Sequence, residues 1–326
     1  MDEKIRAALD LTIDSIDFSE VEKISGKVRD SFILNNKERA IVVSDRVSSF
    51  DFVLGTIPFK GAVLNQIAAF WFKKLKEIGV PTHFISTPDP NISIVKNAKV
   101  LPVEIIVRGY LTGTTKTSAW YAYQHCDQII SNIRMPDGMK KNQKFETPII
   151  TPTTKPSIES GLHDEKVSRE EIISRGLVAE EMYIEAEKLA LKMFAFGQGV
   201  AAERGLILVD TKYEMGLDTN GQLIVIDEVH TPDSSRYWLA DSYDKRFING
   251  EEPEALDKEF VRKMIIAEGY DINSDENPAK YMTDKIRVEA AKKYLQLFEK
   301  MTGQPFIVPK DMDTKAHIIS KLEQLK

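Results

Sequence analysis

The stretch Leu206–Val229, LILVDTKYEMGLDTNGQLIVIDEV, decides how this chain builds a sheet around charged groups. Two β-type runs flank Asn220-Gly221, a pair that favours a tight hairpin turn. With these as the two central residues of a type I′ turn, Glu214 lies directly opposite Asp227. Side chains alternate along a strand. Asp210, Lys212 and Glu214 therefore share one face, and Ile207, Val209, Tyr213 and Met215 share the other, which suits a core. Two carboxylates opposite each other have Cβ atoms only ~5 Å apart. Their repulsion is about 3 kcal/mol at an effective dielectric of about 20. Such a pair needs a cation, a raised pKa or splayed side chains. Carboxylate oxygens suit Mg²⁺, so Glu214 and Asp227 are candidate metal ligands, with Lys212 near a phosphate. The pattern fits equally a solvated sheet face on which Lys212 bridges the charges. A four-residue Asp218–Gly221 loop would shift the register.

Outward from this hairpin, the residues from about Val21 to Thr56 read as short strands bounded by Asn, Lys and Asp. Val63, Ile67, Phe70, Leu75 and Ile78 mark one face of a helix that ends at Gly79, with Pro81 beyond. VEIIVRGYL is a further strand with Glu104 and Arg108 on one face. The segment from about Thr112 to Arg175 is loop-rich, because its prolines forbid a long helix. Ser168 and Glu171 form a capping-box pattern. A long helix carries Val178, Met182, Leu189, Met193, Phe196 and Val200 and stops at Gly205. A final helix carries Ile286, Tyr294, Leu297 and Met301 and ends at Gly303. Strands lead and helices follow, which implies two lobes: a strand-rich one over residues 1–111 and a mixed one over residues 112–326.

Other short motifs carry charge at strand ends. SGKVRDSF sets Gly26 between predicted strands beside Lys27 and Arg29. Glycine lets backbone approach a phosphate and the cations complete the charge, although a plain tight turn explains the pattern as well. SDRVSSFD packs Asp45, Arg46, Ser48, Ser49 and Asp51 after an apolar strand. TPDSSR offers Asp233, Ser234, Ser235 and Arg236, hydroxyls and a guanidinium that suit a phosphate or carboxylate. Both also fit ordinary turn chemistry. Together they favour a cleft for an anionic ligand.

Composition narrows the classes. The net charge of −6 argues against general nucleic-acid binding. No apolar run reaches the ~18–20 residues of a membrane span. The single cysteine, Cys126, reads as a bystander thiol and allows no intrachain disulfide. The five histidines lack metal-ligand spacing. Met1-Asp2-Glu3-Lys4 opens no apolar signal segment, so a cytoplasmic protein is expected.

Several blocks, in order, resemble the SAICAR synthase family: GKVRDSF, SDRVSSFDFVLGTIPFKGAVLNQI, LPVEIIVRGYLTGT, TPTTK with HDE, LVDTKYEMG and DEVHTPDSSRYW. The resemblance runs from about Gly26 to Tyr243. It implies a two-lobed α+β fold with a kinase-like N-terminal lobe and ATP between the lobes. It implies ATP-dependent joining of L-aspartate to the carboxylate of CAIR, a phosphorylated aminoimidazole ribonucleotide, with Mg²⁺. On that pattern Gly26, Lys27 and Arg29 cover the ATP phosphates, the strand around Glu104 borders the adenine with Glu104 among the nucleotide-binding residues, and Lys212, Glu214 and Asp227 serve phosphate and metal. Arg108, Asp233, Ser234, Ser235 and Arg236 serve the nucleotide substrate, with Lys27, Lys212 and Arg236 as the catalytic cations. Lys155, His163 and Asp164 fall on the central loop. Two departures stand out. Thr114 follows Gly113 where serine is usual, which leaves Thr114 or Ser118 to supply the expected hydroxyl. Met215 replaces a phenylalanine on the core-facing side. A kinase is the rival reading, yet its H-R-D-L-x-x-x-N and D-F-G motifs are absent. A non-catalytic ATP-binding regulator would be expected to lack Glu214 and Asp227. Oligomeric state stays open.

Overall fold

The computed structural model describes the whole chain except residues 51, 116–117, 126–127, 156–163, 273, 275 and 309–313. Asp51, Cys126 and His163 therefore lie outside the described residues. A short helix α1 (Asp2–Ala7) precedes strands β1 (Lys23–Ser25), β2 (Arg29–Ile33), β3 (Glu38–Val43), β4 (Arg46–Ser49) and β5 (Phe52–Thr56). Helix α2 (Lys60–Glu77) leads to β6 (Phe84–Asp89), β7 (Ile92–Lys96) and the long β8 (Lys99–Leu111). Then come α3 (Ala119–His125), β9 (Ile129–Ile130), β10 (Ile133–Arg134), β11 (Gln143–Ile150), β12 (Thr153–Thr154), α4 (Arg169–Ser174) and α5 (Glu180–Glu203). The chain closes with β13 (Leu206–Leu217), β14 (Leu223–Ile226), β15 (Ser235–Leu239), α6 (Ala240–Ile248), α7 (Lys258–Ala267), α8 (Asp284–Thr302) and α9 (Thr314–Leu325).

Two antiparallel sheets carry the molecule. The first has strand order β1-β2-β3-β7-β6. The second has order β11-β8-β13-β14, with β12 added on β8 and β15 on β13. β8 hydrogen-bonds into this second sheet, through β11 and β13. The sheets meet where the chain before β6 runs beside β14: His83 N donates to Val225 O at 2.9 Å and Val225 N to Pro81 O at 3.0 Å.

Alternation explains which face each strand buries. On β3, Ala40 and Val42 join a core with Phe32, Ile92 and Ile94, while Val43 joins the main core. Both faces are covered, which is why RAIVV reads as a continuous apolar run. On β8, Val103, Ile105 and Val107 enter the main core, while Glu104, Ile106 and Arg108 face a cleft. On β13, Tyr213 and Met215 are core, and Lys212 and Glu214 face that cleft. Helix α2 ends as expected, with Gly79 at φ +71°. Ser168 caps α4 in a reciprocal capping box with Glu171.

Three expectations change. Ile207 and Val209 do not share the core of Tyr213 and Met215: an irregularity between Leu208 and Asp210 puts Leu206 and Leu208 there, and Val209 packs with Tyr110, Trp238 and Tyr243 instead. The hairpin register is one residue off: Glu214 pairs with Ile226, not with Asp227. The cause is Asp218, whose Oδ1 accepts from Asn220 N at 2.8 Å and Gln222 N at 3.0 Å. That side-chain turn, with Gly221 at φ +78°, makes a longer loop than the two-residue type. The helix ending at Gly303 is also not the last. α9 follows, and its Ile318 and Leu322 cover the outer face of the first sheet beside Ile13, Ile16 and Phe18. No helix among the described residues is long and apolar enough to cross a membrane.

The start of α2 lies hard against the end of β3. A Cβ on Gly61 would sit 2.2 Å from Val43 O and 2.7 Å from Asn91 Nδ2. Gly61→Ala is expected to lose about 3 kcal/mol of stability or more in urea unfolding. A loss below about 1 kcal/mol would contradict this packing.

Candidate active site

A cleft of about 1410 Å³ opens between the two sheets. Its walls bring together Gly26, Lys27 and Arg29 from the β1–β2 turn, Glu104 and Arg108 from β8, and Lys212 and Glu214 from β13. Asp227 and the turn Asp233–Arg236 complete it, so of the residues assigned from the sequence to ATP, metal or the nucleotide substrate all but Thr114 and Ser118 share one cavity. Thr114 and Ser118 are not in its lining. The Thr114 hydroxyl instead donates to Glu259 at 2.7 Å, and Ser118 Oγ accepts from Tyr121 N at 3.3 Å.

At one end the sheet register creates a like-charge problem. Glu214 lies directly across from Glu104. The carboxylate neighbour foreseen for Glu214 thus exists, but it comes from β8 rather than β14. Lys212 answers it: its Nζ lies 2.7 Å from Glu104 and 2.8 Å from Glu214. Lys155 takes the other Glu214 oxygen. Burial works against the Glu214 charge, yet Lys212 and Lys155 outweigh it and hold the carboxyl well below its usual range. Burial likewise works against the Lys212 ammonium, but Glu214, Glu104 and Asp227 raise it. Burial pushes Glu104 up; Lys212 opposes this and Glu214 adds to it.

Asp227 reaches the same space by leaving its strand. It adopts φ +68°, a left-handed conformation costly for a residue with a Cβ. Arg29 Nη2 lies 3.0 Å from Asp227 and 3.0 Å from Glu228. Burial pushes Asp227 up to about 6; Arg29 opposes this while Glu214 and Glu228 add to it. Glu214 is thus a buried carboxylate and Asp227 a partly exposed one, and the Glu214 charge raises the cost of charging Asp227. Mg²⁺ is commonly held by one or two protein carboxylates with phosphates completing the shell, and this donor set fits that arrangement. Among the described residues no group of three or more His, Cys, Asp or Glu forms a self-sufficient metal cage.

At the other end, Asp210 faces Arg108 on β8 and Arg236 on β15. Arg108 Nη1 lies 3.3 Å from Asp210, and its Nε donates to Thr151 at 2.7 Å. Arg236 binds Asp210 through Nη1, while its Nε makes no hydrogen bond among the described residues but lies 3.8 Å from the Glu259 carboxylate. Two guanidiniums share one carboxylate, with the Ser234 and Ser235 hydroxyls adjoining, an arrangement suited to an oxyanion.

Sequence reading missed a third group. Lys258 and Arg262, four residues apart on α7, line the cleft. Lys258 Nζ donates to Ser48 at 3.2 Å and Arg262 Nε to Ser49 at 2.9 Å. Burial lowers Lys258 to about 8; Asp233 opposes this and Arg262 and Lys60 add to it. The signal was the helix start itself, where Asp257 caps α7 by accepting from Glu259 N at 2.8 Å. The SDRVSSFD motif divides: Ser48 and Ser49 face the cleft, whereas Asp45 is structural, accepting from Ile13 N and Gly61 N, each at 2.8 Å.

The Asp227 shift carries a sign. Its folded pKa lies above its unfolded value, so the fold carries the full penalty of its charge above pH 6 and none at low pH. Asp227→Asn should therefore stabilise the metal-free protein at pH 7, by about 3 kcal/mol at most. The gain should vanish as pH falls toward 4 in urea titrations. Destabilisation at pH 7 would show that the Arg29 pair dominates.

Comparison with known proteins places this geometry. A family model described as SAICAR synthetase matches residues 22–277. A phosphoribosylaminoimidazole-succinocarboxamide synthase from Legionella pneumophila (strain Paris) is 45% identical over 297 residues, 91% of this chain and 92% of that protein. One from Bacteroides thetaiotaomicron is 46% identical over 283 residues, covering 86% and 87%. Among solved structures, the SAICAR synthase of Saccharomyces cerevisiae complexed with SAICAR superposes with a TM-score of 0.75 at 30% identity, covering 91% of this chain and all of that one. A type-2 SAICAR synthetase in complex with ADP shares the fold, with a TM-score of 0.66 at 23% identity over 88% of this chain and all of that one. The chain belongs to the SAICAR synthetase family of ATP-dependent ligases.

Proposed function

We propose that the cleft joins L-aspartate to the carboxylate of CAIR at the expense of ATP, giving SAICAR, ADP and phosphate. The observation that carries this reading is the polarity of the cleft. Lysines and carboxylates gather at one end of the paired strands β8 and β13, and two arginines gather at the other. Glu104 and Arg108 are four residues apart on β8, about 13 Å at strand spacing. A substrate with a phosphate at one end and a reacting carboxylate at the other suits such a site.

In this reading Arg108, Arg236, Ser234 and Ser235 hold the CAIR phosphate. Gly26, Lys27 and Arg29 cover the ATP phosphates; Glu104, paired with Lys212 and directly across from Glu214, stands at the phosphate end of the nucleotide rather than beside its adenine. The work is shared between residues 1–111, which supply the phosphate turn and, from β8 in the second sheet, Glu104 and Arg108, and residues 112–326, which supply the metal residues and the Asp233–Arg236 turn. The reaction needs activation because a carboxylate has no good leaving group. A CAIR carboxylate oxygen attacks the γ-phosphorus, ADP departs, and an acyl phosphate results. The aspartate amine, once deprotonated, attacks the acyl carbon, and phosphate leaves with the bridging oxygen. Lys27 and Lys212 offset charge on the phosphoryl group in flight. Glu214 and Asp227 would hold Mg²⁺, which supplies further positive charge to the same oxygens. For Arg29 to serve the phosphates it must exchange its contacts with Asp227 and Glu228, and a metal at Asp227 would favour that exchange.

ADP release should require Mg-ATP, CAIR and L-aspartate together, with SAICAR forming in equal amount. Glu214→Gln and Asp227→Asn should each lower kcat by roughly a hundred-fold or more. ADP release without aspartate would favour a kinase or ATPase, and unchanged Mg²⁺ dependence in both variants would remove the metal assignment.

A further inference from the structure

Asp233 lines the cleft, yet its carboxylate is already occupied. Lys60, the first residue of α2, places Nζ 2.7 Å from Oδ2. The Tyr294 hydroxyl of α8 donates to Oδ1 at 2.8 Å. The Asp233 side chain is 4% exposed and that of Lys60 0%. The Lys60 ammonium also lies 5.8 Å from the centre of the Tyr294 ring. Each oxygen thus has its own partner, one from the helix behind the first sheet and one from a helix near the C-terminus. Tyr294 lies beyond the residues 22–277 that the family model matches.

The segment this clamp holds is a single knitted unit. Thr231 Oγ1 donates to Glu228 at 2.5 Å, and Thr231 N donates to Ser234 Oγ at 3.2 Å. Ser235 N donates to Thr231 O at 2.9 Å, and Lys212 N donates to Ser234 O at 2.9 Å. Asp227 and His230 carry positive φ values of 68° and 54°, conformations that persist only where surrounding contacts impose them. Asp233 is the point at which this unit is fastened to α2 and α8.

We propose that Lys60, Asp233 and Tyr294 form a positioning clamp that sets the Ser234–Arg236 turn for the phosphate of the nucleotide substrate. Asp233 does this without touching that substrate. The clamp rests on the proposed role of this turn. It makes the α8 helix part of the apparatus that recognises the substrate, not only a packing element. Loss of the tyrosine hydroxyl frees one Asp233 oxygen and loosens the turn, while the Lys60–Asp233 pair keeps the charge neutralised.

The test is a kinetic cycle of Tyr294→Phe, Asp233→Asn and the double variant, each as the full chain, with the wild type in parallel. Tyr294→Phe should raise KM for CAIR roughly ten-fold while leaving KM for ATP within about two-fold, as expected for one hydrogen bond to a charged group. In the Asp233→Asn background the same change should add little, because both act through one link. An unchanged KM for CAIR, equal rises in both KM values, or additive effects in the double variant would each overturn the clamp. Absence of CAIR-dependent ADP release in the wild type would instead overturn the proposed function.

Discussion

The pairing of Glu104 with Glu214 across β8 and β13 is the constraint around which the site is arranged. Sheet register leaves neither residue a choice of neighbour. Two carboxylates at that spacing repel by about 3 kcal/mol at an effective dielectric of about 20. Lys212 and Lys155 are therefore structural requirements of the metal-free fold as well as chemical groups. Both lysines come to the carboxylates from the side on which the cleft opens, where a polyphosphate could compete for them. The same logic holds at the far end, where one Asp210 serves two arginines. The site is thus a set of internal ion pairs, each of which an incoming anion or cation can exchange. Such exchange limits the desolvation cost of binding, since the charges are never left unpaired.

The fold itself supplies the precision. Only one face of β8 and β13 is available to the cleft, because Val103, Ile105, Val107, Tyr213 and Met215 are committed to the main core. A one-residue slip would exchange the two faces. Register is therefore protected by hydrophobic burial as much as by hydrogen bonding. The turns that follow the strands carry the remaining groups, and they hold conformations that isolated peptides would avoid. Asp227 turns out of β14 into a left-handed conformation, and that turn brings it toward Arg29.

Alternation made the faces of β8 and of the second half of β13 legible in the sequence, since a period of two needs no knowledge of partners; it failed in the first half of β13, where the irregularity between Leu208 and Asp210 sends Leu206 and Leu208, rather than Ile207 and Val209, into the core shared with Tyr213 and Met215. Helix α2 and the long α5 were legible from their apolar 3.6-residue period, and the cap at Ser168 from its spacing to Glu171, although the short α4 that this cap opens was not read as a separate helix. The register of the hairpin was not, because it turned on one side chain: Asp218 closes the loop through its own carboxylate, and Asn220-Gly221 alone suggested a shorter turn. α9 was missed although Ile318 and Leu322 stand one turn apart, for its worth lies in covering a distant sheet face. Lys258 and Arg262 were missed because charged residues on a helix usually meet water. Only the tertiary approach of β4 turns them toward Ser48 and Ser49. Asp233, read from the sequence as a substrate residue, does line the cleft, but the sequence could not show that Lys60 and Tyr294 occupy its carboxylate.

The central claim is that the carboxylates of β13 and the β14 exit, neutralised here by lysines and an arginine, receive a metal ion together with a nucleotide. The most direct measurement is anomalous diffraction from crystals grown with Mn²⁺ and a non-hydrolysable ATP analogue. The account predicts a metal peak in contact with both Glu214 and Asp227, with Arg29 moved from Asp227 onto the phosphates. A nucleotide bound with no peak at these carboxylates, and with Lys155, Lys212 and Arg29 still in their present pairs, would contradict it.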